Sequence, residues 1–156
     1  MVNPMKGLIE TFYTSFQNKD AETMISCYHN NIIFSDPAFG ELKGDDAKAM
    51  WQMLCRNSSD LKIELSNITA SFKKGAAHWE AWYTFSKTGR KIHNIVDAAF
   101  EFKDSKILTH TDNFNLHQWA SQAMGWKGKL FGGTTFFKNK LHQQTRKLLN
   151  EYKNKN

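Results

Sequence analysis

The sequence predicts a small α+β domain in which three N-terminal helices pack on a curved antiparallel sheet and enclose a pocket. Three observations predict this fold. Segments with apolar residues at helical spacing come first, and strand-like segments joined by short polar turns follow. One of the strands also changes the parity of its apolar positions, which indicates a bend. With 156 residues, the chain can bury one hydrophobic core of ordinary size.

The three predicted helices precede the long strands. The first covers residues 4–18, where an apolar stripe recurs at helical spacing. The second begins after Asp20, a residue type that commonly caps helix N-termini, and the third follows Gly44. Between the last two helices, a short β-rich run ends at Asp36-Pro37, because proline cannot continue a strand ladder.

The four strand-like segments lie at residues 60–72, 76–87, 90–103 and 106–116. The links between them are short and polar, as in β-hairpins. We therefore expect an antiparallel meander.

The first of these strands predicts the curvature of the sheet. Its apolar side chains fall on odd positions up to Leu65 and on even positions from Ile68 onward. Successive side chains of a strand point to opposite faces, so this change requires a bulge, and bulges bend sheets. A bent sheet covered by three helices can close around a cavity.

The chain divides into a pocket domain, residues 1–120, and a C-terminal extension, residues 121–156. The domain carries 13 Lys and Arg against 14 Asp and Glu, whereas the extension carries 8 against 1. The domain therefore lacks the basic surface that nucleic acids require, and we expect no nucleic-acid partner. From about Thr134 the extension predicts a basic amphipathic helix. Its apolar side either packs on the domain or makes a weak contact with a membrane surface.

The location of the protein is predicted from its N-terminus and its cysteines. The first residues lack the apolar core of a signal peptide, and no stretch has the roughly 20 apolar residues of a membrane span. Cys27 and Cys55 fall on apolar helical stripes, as buried free thiols do. We expect a cytoplasmic protein.

The order of the elements resembles the nuclear transport factor 2-like superfamily over residues 5–118. The run from His78-Trp79-Glu80 to Trp119 is similar to the SnoaL-like branch of that superfamily. This resemblance implies a cone-shaped domain around a pocket for a small apolar molecule.

Two enzymes of the superfamily resemble this chain locally. Residues 21–37 are similar to the ketosteroid isomerase segment that carries the general base, which implies that Asp36 is a base. The oxyanion-binding tyrosine of that family falls at Phe12, and its second oxyanion donor falls near Asp97. Residues 111–116 resemble the last strand of limonene-epoxide hydrolase, which implies that Asp112 activates water. The Arg and Asp partners of that aspartate are replaced by Trp79 and Ala81.

The candidate site combines these positions with their strand neighbours. His110 shares a strand face with Asp112, so the pair either relays a proton or forms a structural hydrogen bond. By simple alternation Asp97 faces away from the apolar side of its strand, and a bulge at Ala98-Ala99 would bring it round. The predicted catalytic residues are Asp36, Asp112 and His110, and the predicted substrate-binding residues are Phe12, Trp51, Trp79, Tyr83, His93, Asp97, Phe100 and Phe114.

The same patterns limit the function. No paired cysteines or His-x-x-x-His spacing predicts a metal site, and no glycine-rich phosphate loop predicts a nucleotide cofactor. We expect an enzyme that applies acid–base chemistry to an apolar substrate, of the isomerase, cyclase or hydrolase type. The alternative is a non-catalytic module of the same fold that binds a small ligand or another protein. Trp82, on the strand face opposite Trp79, predicts a homodimer interface.

Overall fold

The structure, a computed structural model, describes residues 3–155 and contains six helices and six strands within that range. The helices are α1 (Pro4–Gln17), α2 (Ala21–Ser26), α3 (Asp45–Asn57), α4 (Leu116–Met124), α5 (Trp126–Phe131) and α6 (Thr135–Lys155). The strands are β1 (Tyr28–Asp36), β2 (Gly40–Lys43), β3 (Lys62–Ala70), β4 (Lys74–Phe85), β5 (Arg90–Lys103) and β6 (Lys106–Asn113). The predicted α+β class is confirmed.

All six strands belong to one sheet in the order β2-β1-β6-β5-β4-β3. Strands β3 to β6 form the predicted antiparallel meander. Strand β1 joins the free edge of β6 in parallel and pairs with β2 on its other side. This arrangement brings the end of β1 beside the end of β6.

The predicted bend in β3 is present. The register of β3 against β4 shifts between Ser66 and Thr69, and Asn67 between them has a φ of 52°. This left-handed conformation is one that asparagine tolerates better than most residues. The bulge accounts for the change of parity and curves the sheet toward the helices.

Helices α1 and α3 form the second layer of the core. The Asn3 side chain caps α1, and Asp20 caps α2 as predicted, accepting a hydrogen bond from the backbone N–H of Thr23. The rings of Phe12 and Phe16 on α1 pack edge-on against Trp51 of α3. Both cysteines are free and buried, also as predicted.

The C-terminal extension folds back onto the domain. Leu141 and Leu149 of α6 are buried. The His142 Nε2 atom hydrogen-bonds the carbonyl oxygen of Pro37 at 2.8 Å, and the Arg146 guanidinium pairs with Asp46 at 3.2 Å. The apolar side of α6 is therefore packed on the protein itself. No helix in residues 3–155 is long and apolar enough to cross a membrane.

The predicted boundary at 120/121 falls inside α4 (Leu116–Met124). Ala120 and Ala123 of this helix are both buried in one apolar cluster with Ile92 of β5. The division into two parts stays a prediction.

Candidate active site

A cavity of about 500 Å³ lies between the curved sheet, α3 and the C-terminal helices. Its walls are mostly aromatic and aliphatic, as in pockets for apolar small molecules. Strand β4 contributes every second residue from Trp79 to Phe85, since alternate side chains of a strand share one face. Helix α6 closes another side with Leu141, Thr145 and Leu148.

Asp36 and Asp112 both line this cavity. The parallel register pairs Phe34 of β1 with His110 of β6 and Ser35 with Thr111, so Asp36 follows in line with Asp112. Residues in line on neighbouring strands lie about 5 Å apart at their backbones. The sheet therefore places two carboxylates side by side.

Backbone N–H groups hold the Asp36 carboxyl at the wall of the cavity. Its Oδ1 atom accepts hydrogen bonds from the backbone N–H groups of Ala38 (2.9 Å) and Phe39 (2.6 Å) and so caps the turn after β1. Burial, with a smaller contribution from the negative charge of Asp112, raises the pKa of Asp36 to about 7 against the opposing effect of these two bonds. A carboxyl with this pKa can take up and release a proton near neutral pH.

Asp112 is held by a chain of buried hydrogen bonds. Its Oδ1 atom lies 2.9 Å from Nε2 of His110 and accepts a 3.3 Å bond from the indole N–H of Trp79. On its other side, Nδ1 of His110 lies 2.7 Å from the hydroxyl of Tyr28, which accepts a 2.8 Å bond from the indole N–H of Trp51.

The partners of His110 favour one arrangement of its protons. A carboxylate only accepts, so Nε2 of His110 carries a proton and donates to Oδ1 of Asp112. Nδ1 can then accept the proton of the Tyr28 hydroxyl, whose oxygen accepts from Trp51. Burial raises the pKa of Tyr28 well above its usual range, so the phenol keeps its proton. His110 is fully buried behind Asp112, and we therefore treat it as a residue that positions Asp112.

Tyr83 brings a hydroxyl to the cavity wall. Its oxygen accepts a 2.8 Å hydrogen bond from the indole N–H of Trp119 in α4. No acceptor for the hydroxyl's own proton is found in residues 3–155, so that proton is available to a ligand. Burial raises the pKa of Tyr83, and the charge of Asp36 raises it further, which keeps the group a hydrogen-bond donor.

The structure brings together six of the predicted site residues around the cavity, and these are Asp36, Trp51, Trp79, Tyr83, Asp112 and Phe114. Four other predicted substrate-binding residues do not line it. Phe12 and Phe100 are buried among the rings around His110, so they support the site from behind.

His93 and Asp97 lie on the outer face of the sheet, away from the cavity that they were predicted to line. Asp97 pairs with His78 at 2.8 Å and its side chain is 80% exposed, while His93 stacks on Trp82 and bonds Glu80. The reason is the position of the bulge. Strands β5 and β6 keep regular register from Asp97 through Glu101, and the irregularity follows at Phe102. Asp97 therefore keeps the outward direction that simple alternation gives it.

Two polar residues of the site were not predicted. Tyr28 fixes His110, and Trp119 fixes the hydroxyl of Tyr83. Their aromatic character was visible in the sequence, but their partners are distant in the chain. Among residues 3–155, no three His, Cys, Asp or Glu side chains are grouped as metal ligands.

The sequence profile of the SnoaL-like domain matches residues 9–110, more than half of the chain. The chain belongs to the SnoaL-like domain family. No protein with a curated description matches the sequence. The matched part ends at His110, so Asp112, Trp119 and the whole of α6 lie beyond it.

The solved structures that share this fold include the following three. An LEH-like epoxide hydrolase from M. tuberculosis is 16% identical, with a TM-score of 0.64 over 83% of this chain and 91% of its own. A protein proposed to be a polyketide cyclase, from Xanthomonas campestris pv. campestris, is 20% identical, with a TM-score of 0.64 over 77% and 96%. An NTF2-like protein of unknown function from Burkholderia pseudomallei is 11% identical, with a TM-score of 0.68 over 79% and 99%. At these identities the similarity establishes the fold.

Proposed function

We propose that this protein is an enzyme that applies acid–base chemistry to an apolar small molecule bearing one oxygen function. The observation that carries this proposal is the pair of adjacent carboxylates, Asp36 and Asp112, in an otherwise apolar cavity. Their surroundings differ, and unlike surroundings give two carboxyls different roles.

Asp36 is the proposed general base. Its Oδ1 atom is occupied by the two backbone N–H groups, which leaves Oδ2 for the proton. In an isomerisation, Oδ2 takes a proton from a carbon beside the substrate carbonyl and returns it to another carbon. In a hydration, it takes the proton from the attacking water instead. The charge of Asp112 raises the pKa of the neighbouring Asp36, which favours proton uptake by Asp36.

Tyr83 is the proposed electrophilic partner. As charge develops on the substrate oxygen, its hydroxyl donates a hydrogen bond to that oxygen. The bond from Trp119 into the Tyr83 oxygen polarises the hydroxyl and fixes its orientation. Tyr83 would thus supply the donor that is lost where Phe12 replaces the tyrosine of the ketosteroid isomerase family.

The test is a turnover screen with β,γ-unsaturated ketones, hydrocarbon epoxides and aromatic polyketide esters, followed by variants of the carboxylates. We expect Asp36→Asn to lower kcat by about 10²–10⁴-fold, the usual contribution of a general base. Asp97→Asn is the matched control, because the same change on the outer face should leave turnover unchanged. Equal turnover by Asp36→Asn and wild type would remove Asp36 as the base.

A second candidate function is ligand binding without turnover. The specific observation in its favour is that α6 covers the cavity with side chains from Leu141 to Leu148, an arrangement that retains an apolar ligand. Displacement of a fluorescent apolar probe by compounds that are never converted would support this alternative over catalysis.

We further propose a cytoplasmic homodimer. The free thiols of Cys27 and Cys55 support a reducing compartment.

The outer sheet face supports pairing of two copies, because it presents Trp82, stacked on His93, beside the exposed Ile95. Light scattering of wild type and Trp82→Ser should give dimer and monomer masses, and a monomeric wild type would contradict the proposal.

A further inference from the structure

Helix α5 and the first turn of α6 carry an unusual concentration of exposed apolar side chains. Trp126 is 67% exposed, Leu130 64%, Phe131 55% and Phe136 73%. They form half of the large exposed apolar side chains in residues 3–155. We refer to residues 126–140 as the α5–α6 elbow.

The packing of α5 explains why two of these side chains point outward. Gly128 is buried against α4, where a Cβ would overlap the carbonyl oxygen of Ala120. Trp126 and Leu130 each lie two residues from Gly128, about 160° away around the helix axis. They therefore share the face opposite the contact with α4. Lys127 and Lys129 lie about 100° from Gly128 on either side of the helix, so they flank this outward face.

The start of α6 repeats this arrangement. Phe137 packs into the cluster around Trp119, and the preceding Phe136 points outward. The ammonium of Lys140 lies 5.6 Å from the centre of the Phe136 ring, and that of Lys127 lies 5.8 Å from the Trp126 ring. Aromatic residues beside lysines are typical of protein segments that lie in the membrane interface.

We propose that the α5–α6 elbow docks on an anionic lipid surface, with the aromatic side chains in the interface and the lysines on the lipid headgroups. Charge decides this choice of partner. The sequence contains no Asp or Glu between residues 121 and 150. A symmetric contact with a second copy would therefore oppose the lysines of one elbow to those of the other. An anionic surface pairs with all of them.

The docking surface is only part of the one that the sequence predicted, which included the aromatic and lysine residues from Trp126 onward together with the helix that follows. The apolar face of α6 was a candidate for membrane contact, but the structure packs Leu141 and Leu149 into the protein. The elbow remains accessible, and α6 continues directly from it to the cavity wall at Leu141. Docking would bring the part of α6 that covers the cavity close to the lipid, in which apolar molecules dissolve. The proposal does not depend on the acid–base function.

The test is co-sedimentation of the full-length protein with vesicles of phosphatidylcholine, with and without phosphatidylserine. We expect binding to the anionic vesicles only, and loss of that binding as salt is raised. Lys127→Glu/Lys129→Glu and Trp126→Ser/Leu130→Ser should each weaken binding by about tenfold or more. The matched controls are Lys73→Glu/Lys103→Glu and Phe72→Ser, which change exposed residues of the same types outside the elbow. Circular dichroism confirms that each variant is folded.

Several outcomes would overturn the proposal. The first is failure of the wild type to bind anionic vesicles at low salt. The second is equal weakening by the elbow variants and the controls, since the attraction would then come from the total charge. The third is a dimer that Leu130→Ser dissociates, since a second copy would then cover the elbow.

Discussion

Asp36 and Asp112 lie side by side on parallel neighbouring strands, yet their hydrogen-bond donors come from different sources. Asp36 is held by backbone N–H groups of the turn that follows it, and Asp112 by the side chains of His110 and Trp79. Backbone donors remain when side chains are changed. The charge and the anchoring of the two carboxyls can therefore be altered separately.

The first prediction concerns the titration of Asp36. Its carboxyl carbon, followed by NMR, should titrate with a midpoint near the pKa of about 7. Asp112→Asn removes a negative charge and should lower this midpoint, although burial keeps it above the ordinary value of 3.8. An unchanged midpoint in Asp112→Asn would contradict the electrostatic contact between the two groups.

The second prediction concerns stability and pH. Because the pKa of Asp36 is raised on folding, the folded state holds a proton that the unfolded state releases between pH 3.8 and about 7. Stability from this group therefore falls as pH rises through that window and is constant above it. Asp36→Asn keeps an oxygen that accepts from the two backbone N–H groups, but it does not ionise, so this fall in stability with rising pH should disappear.

Thermal unfolding checks this prediction. The stability of Asp36→Asn relative to wild type should be greater at about pH 8 than at about pH 5, by on the order of 2–3 kcal/mol. Glu10→Gln removes an exposed carboxylate and is the control, for which the difference should stay near zero. A pH-independent difference for Asp36→Asn would show that its carboxyl ionises as it does in water.

The third prediction concerns the chain of hydrogen bonds behind Asp112. Tyr28→Phe removes the acceptor of the Trp51 N–H and the donor to His110, so it should cost about 1–3 kcal/mol of unfolding free energy. Tyr13→Phe is a matched control, because the Tyr13 hydroxyl is equally buried but lies at 3.5 Å from His110. Denaturant unfolding of both variants, with ¹⁵N spectra of His110, measures the cost and the tautomer. An equal loss of unfolding free energy in both variants would show that the short hydrogen bond of Tyr28 stabilises the protein no more than the longer contact of Tyr13.

The fourth prediction concerns the contact between α4 and α5. Gly128→Ala places a methyl group against the backbone of Ala120 and should destabilise the protein by about 1–3 kcal/mol. Gly7→Ala in α1 is the counterpart, since within residues 3–155 no atom beyond the neighbouring residues and backbone of α1 lies within 4 Å of the added carbon. It should stabilise the protein by up to about 1 kcal/mol, because alanine favours helix. The two changes in melting temperature should have opposite signs.

Local patterns in the sequence were sufficient for α1 to α3, α6, the meander and the bulge of β3, but they did not predict α4 and α5, and the last strand was predicted to extend to residue 116 whereas β6 ends at Asn113. Strand β2 (Gly40–Lys43) was missed. Only one of its four side chains, Leu42, is buried, so the sequence shows no alternation of apolar and polar residues there. The parallel pairing of β1 with β6 joins segments that are distant in the chain, and local sequence patterns do not predict such pairings.

For the candidate site, too, the sequence predicted the positions that depend on local alternation but not the contacts that depend on long-range packing. Strand alternation was enough to place Asp112, Trp79 and Tyr83 on the inner face. The cover was not predicted, because an amphipathic pattern in α6 shows that one side is buried but does not name what it is buried against. The hydrogen bonds of Tyr28 and Trp119 depend on the same long-range packing.

The parallel contact between β1 and β6 has a consequence for the order in which the protein assembles. The meander β3 to β6 consists of neighbouring hairpins, which close short loops, whereas joining β1 to β6 closes a loop that contains most of the domain. Contacts between distant segments form slowly relative to local ones. A nascent chain therefore completes its hairpins before the two carboxylates meet, and the protein cannot hold its paired acids until the ends of the sheet have been joined.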